Sequence, residues 1–423
     1  MPPRPNPKKP SNKKRPSDKQ PASSKPKPKP SSSNETTSSP SPLDNSTIPH
    51  TLQQLLLNVF QSALLPNTLP SSSPQETQEK AAEEVQLDLK PLIQTIKSHL
   101  YNRDFDSAFT DADEELLRAY ALRWSATRAL GYAGVFKAVL KLLDFGQQPV
   151  SDERTKGKQI VCIGGGGGAE IVALGGAWRD LTASTTSSEE EEEGEKEKLG
   201  LEQVDLTVTA VDIADWSSVV DRLDTTMRSS RVSSLKSHPA PLIQQQQQQQ
   251  PPSNTDTNEP DNGNQDEKVN GKFNVNFHRA DILTLPENDL AHLYNPQEKM
   301  DTIMVTLMFT LNELFSTSMA KATAFLLRTT DAVQPGTLLL VVDSPGSYSS
   351  LKLGGTKAGT ERQYPMKFLL DHTLLTVATG KWERVLSQDS RWWRRDASRL
   401  WYDVGEGAGL EDMRFQVHLY RRL

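Results

Sequence analysis

The chain has 423 residues, of which 35% are hydrophobic, 6% aromatic and 24% charged, with a formal net charge of -6 and a mean hydropathy of -0.59. That is too polar for one compact fold over the whole length, so part of the chain is expected to stay outside the core. No apolar run reaches the roughly 18 residues of a membrane span, no apolar stretch follows the N-terminal lysines and prolines as a secretory signal requires, and a single cysteine, Cys162, excludes a disulfide framework or a cysteine-rich zinc site, so an intracellular protein without membrane or metal is expected.

Residues 1–30 hold eight Lys and two Arg against one Asp, with ten Pro. Such a segment cannot bury a core, and residues 1–50 are expected to form a disordered basic tail that solubilises the chain, binds polyanions, or serves as a nuclear address through Lys8, Lys9, Lys13, Lys14 and Arg15. Helical spacing then follows in Leu52, Leu55, Leu56, Val59, Phe60 and Ala63, in Leu92, Ile93, Ile96 and Leu100, and in Leu116, Leu117, Tyr120, Ala121 and Trp124, which predicts a helical region over 51–157. From residue 158 onward short apolar runs alternate with helical stretches. Ile160–Ile163, Leu206–Val211, Val275–His278, Thr302–Leu307 and Thr337–Val342 read as strands of an α/β sheet covered on both faces, and Trp382–Leu386 with Met413–Tyr420 as a closing antiparallel pair. Two polar runs interrupt this pattern, 182–203 with Glu189 to Glu193 unbroken and 229–271 with Gln244 to Gln250, and both are expected to be disordered surface insertions.

The strongest local signal is the strand Ile160–Ile163 running into Gly164, Gly165, Gly166, Gly167 and Gly168 and then into a helical Ala169-Glu170-Ile171-Val172 start. Bare backbone between a strand and a helix N-terminus turns tightly and lets a ligand approach the amides, a cradle shared by dinucleotides and S-adenosylmethionine. The next strand ends in Asp212-Ile213, where an acid accepts ribose hydroxyls, while Asp215 is placed to cap the following helix. The third ends in Asp281-Ile282, suited to the amino group and ring face of an adenine, although an Asp there also serves as a turn residue. The fourth leads through Leu307 into Met308-Phe309-Thr310-Leu311-Asn312-Glu313, and Pro335-Gly336 precedes the fifth.

On the glycine loop, Asp212, Asp281 and Pro335-Gly336, the chain from about Lys158 to Leu423 resembles the class I S-adenosylmethionine-dependent methyltransferases. Tyr101-Asn102-Arg103-Asp104-Phe105, Tyr120-Ala121-Leu122-Arg123-Trp124-Ser125, Val305 through Phe315, and Asp412-Met413-Arg414-Phe415 resemble more narrowly a fungal family of large-subunit (25S) ribosomal RNA uridine-N3 methyltransferases. The resemblance implies a Rossmann-like, mostly parallel seven-stranded sheet with an antiparallel last strand. It also implies S-adenosyl-L-methionine as cofactor, held by Gly164, Gly165, Gly166, Gly168, Asp212, Ile213, Asp281, Ile282 and Leu307, and large-subunit ribosomal RNA or preribosomal particles as partner; with the basic tail, the nucleus or nucleolus is the expected place, the cytoplasm the alternative.

A uracil ring nitrogen attacks only after losing its proton, so a base is expected at the fourth strand tip, with Glu313 accepting the proton and Asn312 binding a carbonyl. The alternative for this pair is structural, Asn312 capping a helix with Glu313 in its first turn. Arg123, with Arg103 and Arg128 nearby, is expected in a helical lid, Arg123 meeting the cofactor carboxylate, unless these side chains make surface ion pairs. A base drawn out of its stack needs rings and cations, for which Arg391, Trp392, Trp393, Arg394 and Arg395 are the candidates, Trp382 and Trp401 being assigned to the core. A nicotinamide-dependent oxidoreductase fits the glycine loop but lacks a histidine cluster. The acidic charge beyond the tail suits a protein methyltransferase, and a catalytically inactive preribosome-binding scaffold is the remaining alternative.

Overall fold

The computed structural model describes residues 43, 46–65, 87–143, 157–186, 204–244, 271–296, 300–346, 348–352 and 361–423. Seven strands form one sheet: β1 (Gly157–Ile163), β2 (Leu206–Asp212), β3 (Phe273–Arg279), β4 (Met300–Met308), β5 (Leu338–Asp343), β8 (Trp382–Trp393) and β9 (Met413–Arg422). Their order is β3-β2-β1-β4-β5-β9-β8; β1 to β5 are parallel, and β9 runs antiparallel to both of its neighbours, β5 and β8. The expected mostly parallel sheet with an antiparallel last strand is present. A separate hairpin, β6 (Tyr348–Lys352) and β7 (Glu361–Pro365), follows β5.

The central strands are apolar without alternation because helices cover both faces, as Ile160 and Cys162 of β1 face one core cluster and Val161 and Ile163 the other. On the first face lie α1 (His50–Leu64), α2 (Leu89–Asn102), α3 (Glu114–Tyr120), α4 (Ala126–Leu140), α5 (Ala169–Thr186) and α6 (Ser217–Met227). On the second lie α7 (Glu287–Tyr294), α8 (Leu311–Thr317), α9 (Met319–Ala332) and α10 (Met366–Asp371). The N-terminal helices thus share a core with the sheet: α1 packs on α4, α5 and α6.

Three expected boundaries move. Leu43 and Ile48 are buried and Arg391 donates to the Leu43 carbonyl, so the folded part reaches into the segment assigned to the tail. Helix α5 continues to Thr186, into the first polar run, because Ala177, Trp178 and Leu181 carry its buried face forward. Residues 229–244 pack back onto the body through Val232, Leu242 and Ile243, with Arg179 holding the carbonyls of Pro239 and Pro241. The glutamate run and all but Gln244 of the glutamine run lie outside the described residues, as do residues 1–42. Strand β8 is longer than expected, because two bulges let the polar stretch from Ser387 to Arg391 stay paired with β9 and bring Trp392 and Trp393 into the sheet. Among the described residues no helix is long and apolar enough to cross a membrane, and no group of three or more His, Cys, Asp or Glu is placed to hold a metal.

Candidate active site

A cavity of about 270 Å³ opens at the carboxyl ends of β1 to β4, where ligands of doubly wound sheets bind. One wall is made by strand ends and the turns after them. Gly164 has φ +76, a left-handed turn that glycine adopts without penalty, and a Cβ there would overlap Thr310. Gly164 and Gly167 line the cavity, whereas Gly165, Gly166 and Gly168 are needed for close packing, a Cβ on each striking Cys162, Trp216 and Leu223 respectively. The glycine run is therefore divided between ligand approach and helix-to-loop packing.

Asp212, Ile213, Asp281 and Ile282 all line the cavity, as expected. Asp212 accepts from the Gly166 amide at 3.1 Å and the Ala214 amide at 3.2 Å, and burial nevertheless lifts its carboxyl to about 6. Asp281 also serves its own turn, accepting from the Leu283 amide at 3.0 Å and the Thr284 hydroxyl at 2.7 Å. Trp216, not Asp215, holds the cap position of α6; Asp215, one residue before it, accepts from the Ser217 amide at 3.2 Å and the Ser217 hydroxyl at 2.6 Å. Leu307 is packed in the core beneath the cavity, and its neighbour Met308 takes the lining position.

The turn after β4 is strained. Phe309 has φ +61, a left-handed conformation that costs a residue with a Cβ roughly 1–2 kcal/mol. That backbone presents its ring to the cavity, against Tyr132 at 6.3 Å. Thr310, rather than Asn312, occupies the cap position of α8, and the Asn312 amide donates to Asp343 at 3.1 Å while its buried Oδ1 has no hydrogen-bond partner among the described residues. Asn312 does not line the cavity, but Glu313 does; the residue as a whole is exposed, and desolvation of its carboxyl within the cavity pushes it up to about 7, with Arg128 opposing and Asp343 and Asp212 reinforcing the shift.

The other wall comes from the helical region. Phe105, Asp106, Phe109 and Thr110 line it from a loop and a π-helical turn over Asp106–Thr110, and Tyr120, Ser125, Arg128 and Tyr132 from one rod built of α3, a second π turn over Ala121–Ser125, and α4. The wider π turn aligns residues five apart, so Ser125 follows Tyr120 and is continued by Arg128 and Tyr132, while Arg123 falls out of phase. Arg123 is accordingly buried away from the cavity, ion-paired with Glu411. Arg128 takes the place expected of it: its guanidinium lies over the rings of Phe309 at 5.0 Å and Tyr120 at 5.7 Å and donates to the Tyr120 hydroxyl at 2.7 Å. Tyr120, Tyr132, Glu170 and Trp216 also line the cavity without having been named as site residues; Tyr120 and Glu170 lay inside the quoted Tyr120–Ser125 and Ala169–Val172 segments, whereas Tyr132 and Trp216 carry no motif.

The candidate RNA-contact residues are only partly available. Arg395 donates to the Leu410 carbonyl, Arg394 pairs with Asp412 at 2.6 Å, and Trp393 is half-buried against α4 near Gly131. Trp392 is 47% exposed with the Arg394 guanidinium 3.8 Å from its ring centroid. Trp382 is buried as expected, its indole N–H donating to Thr330, but Trp401 is 73% exposed because the adjacent Leu400 fills the core site.

Three carboxyl groups line the cavity, Glu170 near 8, Glu313 near 7 and Asp212 near 6, all raised chiefly by desolvation, and the Arg128 guanidinium opposes the shift of Glu170 and Glu313. The buried Glu170 Oε1 and Tyr132 hydroxyl lining this space lack hydrogen-bond partners among the described residues. These groups fit a ligand that carries an ammonium, a sulfonium, a carboxylate and a ribose: acids for the cations and hydroxyls, Arg128 for the anion. Residues 75–421 match the model of the family described as "Putative SAM-dependent methyltransferase". The 25S rRNA (uridine(2843)-N(3))-methyltransferase of Saccharomyces cerevisiae is 30% identical over 385 residues, which are 89% of this chain and 87% of that protein. Among solved structures, an O-methyltransferase family protein from Burkholderia thailandensis is 12% identical, covering 87% of this chain and 82% of its own, with a TM-score of 0.34. An S-adenosylmethionine-dependent methyltransferase from Clostridium acetobutylicum is 9% identical, covering 78% and 98%, with a TM-score of 0.30. With a cavity of this chemistry and a family match over most of its length, the chain belongs to the S-adenosylmethionine-dependent methyltransferases.

Proposed function

We propose that this methyltransferase acts on N3 of a uridine in large-subunit ribosomal RNA, the type of reaction named for its yeast relative. The observation that carries the reading is Glu313, a cavity carboxyl held near 7 beside the strained Phe309 turn, where a proton must be removed from a weakly acidic ring nitrogen. When bound, S-adenosylmethionine supplies an electrophilic methyl carbon on a sulfonium. Gly164, Gly167, Asp212, Ile213, Asp281 and Ile282 would hold its adenosine part and Arg128 its carboxylate. Glu313 takes the N3 proton, leaving the nitrogen lone pair free to attack. The Phe309 ring orients the uracil, and the wall formed by Phe105, Phe109 and Tyr120 keeps water out. Trp392, with Arg394, offers a surface for RNA outside the cavity. The basic residues 1–30 suit both a nuclear or nucleolar address and contact with preribosomal particles.

The test is transfer of labelled methyl from S-adenosylmethionine to large-subunit RNA taken from cells lacking this protein, followed by digestion to nucleosides. Label in N3-methyluridine is the expected result. No label in RNA from a protein that binds the cofactor would transfer the reading to a protein substrate, which the acidic body of the chain beyond its tail favours.

A further inference from the structure

Of the carboxyls that line the cavity, Asp212 and Asp281 follow strand ends, Glu313 follows the Phe309 turn and Asp106 lies in a π-helical turn. Glu170 comes from elsewhere, the first turn of α5 just past the glycine loop. Helix α5 packs on α4, which carries Arg128 and Tyr132, so these three side chains reach the cavity from two neighbouring helices.

Glu170 is 3% exposed and Tyr132 1%, so bulk water does not solvate them. Yet Glu170 Oε1 and the Tyr132 hydroxyl have no hydrogen-bond partner among the described residues. The two lie close enough to act on each other electrostatically. Arg128 eases a charge on Glu170 but gives its hydrogen bond to the Tyr120 hydroxyl, while Asp212 opposes that charge. Buried polar groups left open cost stability and in folded proteins are nearly always partnered, so a partner that arrives with the ligand accounts for both atoms. Its chemistry follows from theirs. Both oxygens accept hydrogen bonds and one belongs to an acid, which calls for a cation with several N–H donors. A sulfonium has no N–H and a ribose hydroxyl has no charge, whereas a primary ammonium has both the charge and three donors.

We infer that Glu170 and Tyr132 form the subsite for the α-ammonium of S-adenosylmethionine; this rests on the cavity holding the cofactor. With Arg128 on the carboxylate, the packed pair α4 and α5 then reads the amino-acid end of the cofactor as a zwitterion. The role is the same whether the methyl acceptor is RNA or protein. It also gives a reason for keeping a buried acid that the ligand-free fold does not need.

The test is calorimetric titration of the full-length parent, Glu170→Gln and Tyr132→Phe proteins with three ligands: S-adenosylhomocysteine, its deaminated analogue, which keeps the carboxylate, and 5′-methylthioadenosine, which lacks the amino-acid end. Glu170→Gln is expected to weaken S-adenosylhomocysteine binding about 10–100-fold and Tyr132→Phe about three- to tenfold. Both variants should bind the deaminated analogue and 5′-methylthioadenosine within about twofold of the parent, since neither ligand carries the ammonium. Unchanged S-adenosylhomocysteine affinity in Glu170→Gln overturns the inference. An equal loss on the deaminated analogue also overturns it, by giving Glu170 to the carboxylate, and an equal loss on 5′-methylthioadenosine does so by giving it to the adenosine or to the fold. A parent that binds none of the three overturns the cofactor placement together with this role, whereas the other outcomes leave that placement standing.

Discussion

The two walls of the cavity are built on different principles. The strand wall is made of backbone turns and short acids whose position follows from the sheet: wherever β1, β2 and β3 end, Gly164, Asp212 and Asp281 arrive at the same edge. The helical wall is made of long side chains, Tyr120, Arg128 and Tyr132, whose direction depends on one π turn. A strand wall tolerates changes in side-chain length but not the addition of a Cβ at the packed glycines. On the helical wall, the one extra residue of the π turn decides that Arg128, and not Arg123, faces the cavity.

Substitutions that break this contrast differ in size. Glu313→Gln, at the end of the strand wall, is expected to lower kcat by about 10²–10⁴ while S-adenosylhomocysteine binding is kept. In the parent, activity should climb with pH and level above about 7, as the carboxyl that must accept a proton becomes ionised. Full turnover in the glutamine variant would remove Glu313 as the base. On the helical wall, Arg128→Ala should weaken S-adenosylhomocysteine binding about 10–100-fold, the range for a lost charge-assisted hydrogen bond, whereas Arg123→Ala should leave it within about twofold. Calorimetric titration of both variants decides this, and equal losses would mean that the phase of the rod is not what selects Arg128.

Phe309→Gly addresses the strained junction of the two walls. Release of the left-handed backbone, about 1–2 kcal/mol, is expected to offset most of the loss of a half-buried ring, so the melting temperature moves little while methyl transfer falls about tenfold. A large drop in melting temperature with full activity per folded molecule would reduce the ring to packing.

The smallest effect concerns pH. Glu170, Glu313 and Asp212 are raised in the folded state to about 8, 7 and 6, from ordinary values of 4.5, 4.5 and 3.8. A raised carboxyl contributes stability that is complete below its unfolded value and is lost as pH rises through its folded value. The ligand-free protein should therefore melt lower near pH 8 than near pH 5. Glu170→Gln should raise the melting temperature by about 3–5 °C near pH 8 and hardly at all near pH 5, measured by calorimetry in matched buffers. A uniform shift at both pH values would assign the change to packing instead.

Much of the sheet was legible because each central strand is a nearly continuous apolar run: Ile160–Ile163 and Leu206–Val211 fall within the observed β1 and β2. The glycine loop and the acids after β2 and β3 were legible for the same reason, being fixed by chain position at strand ends. Arg123 misled because helical periodicity assumes a constant turn, and the π turn at Ala121–Ser125 has no signature in residue type. Trp401 misled because the neighbouring Leu400 competes for the same core site, a contest that local sequence does not settle. The buried Leu43, Val232, Leu242 and Ile243 were hidden inside polar surroundings whose average composition outweighed them.

By itself the sequence determined the layered α/β architecture, the strand ends that line the cavity and the position of Glu313, since all of these follow from the order of elements along the chain and from which residues end a strand. Only the tertiary structure decided that Arg128 enters the cavity and that Phe309 is held in a left-handed turn. Those features depend on helix phase and on contacts between residues far apart in sequence, and they exist only once the two walls have been packed against each other.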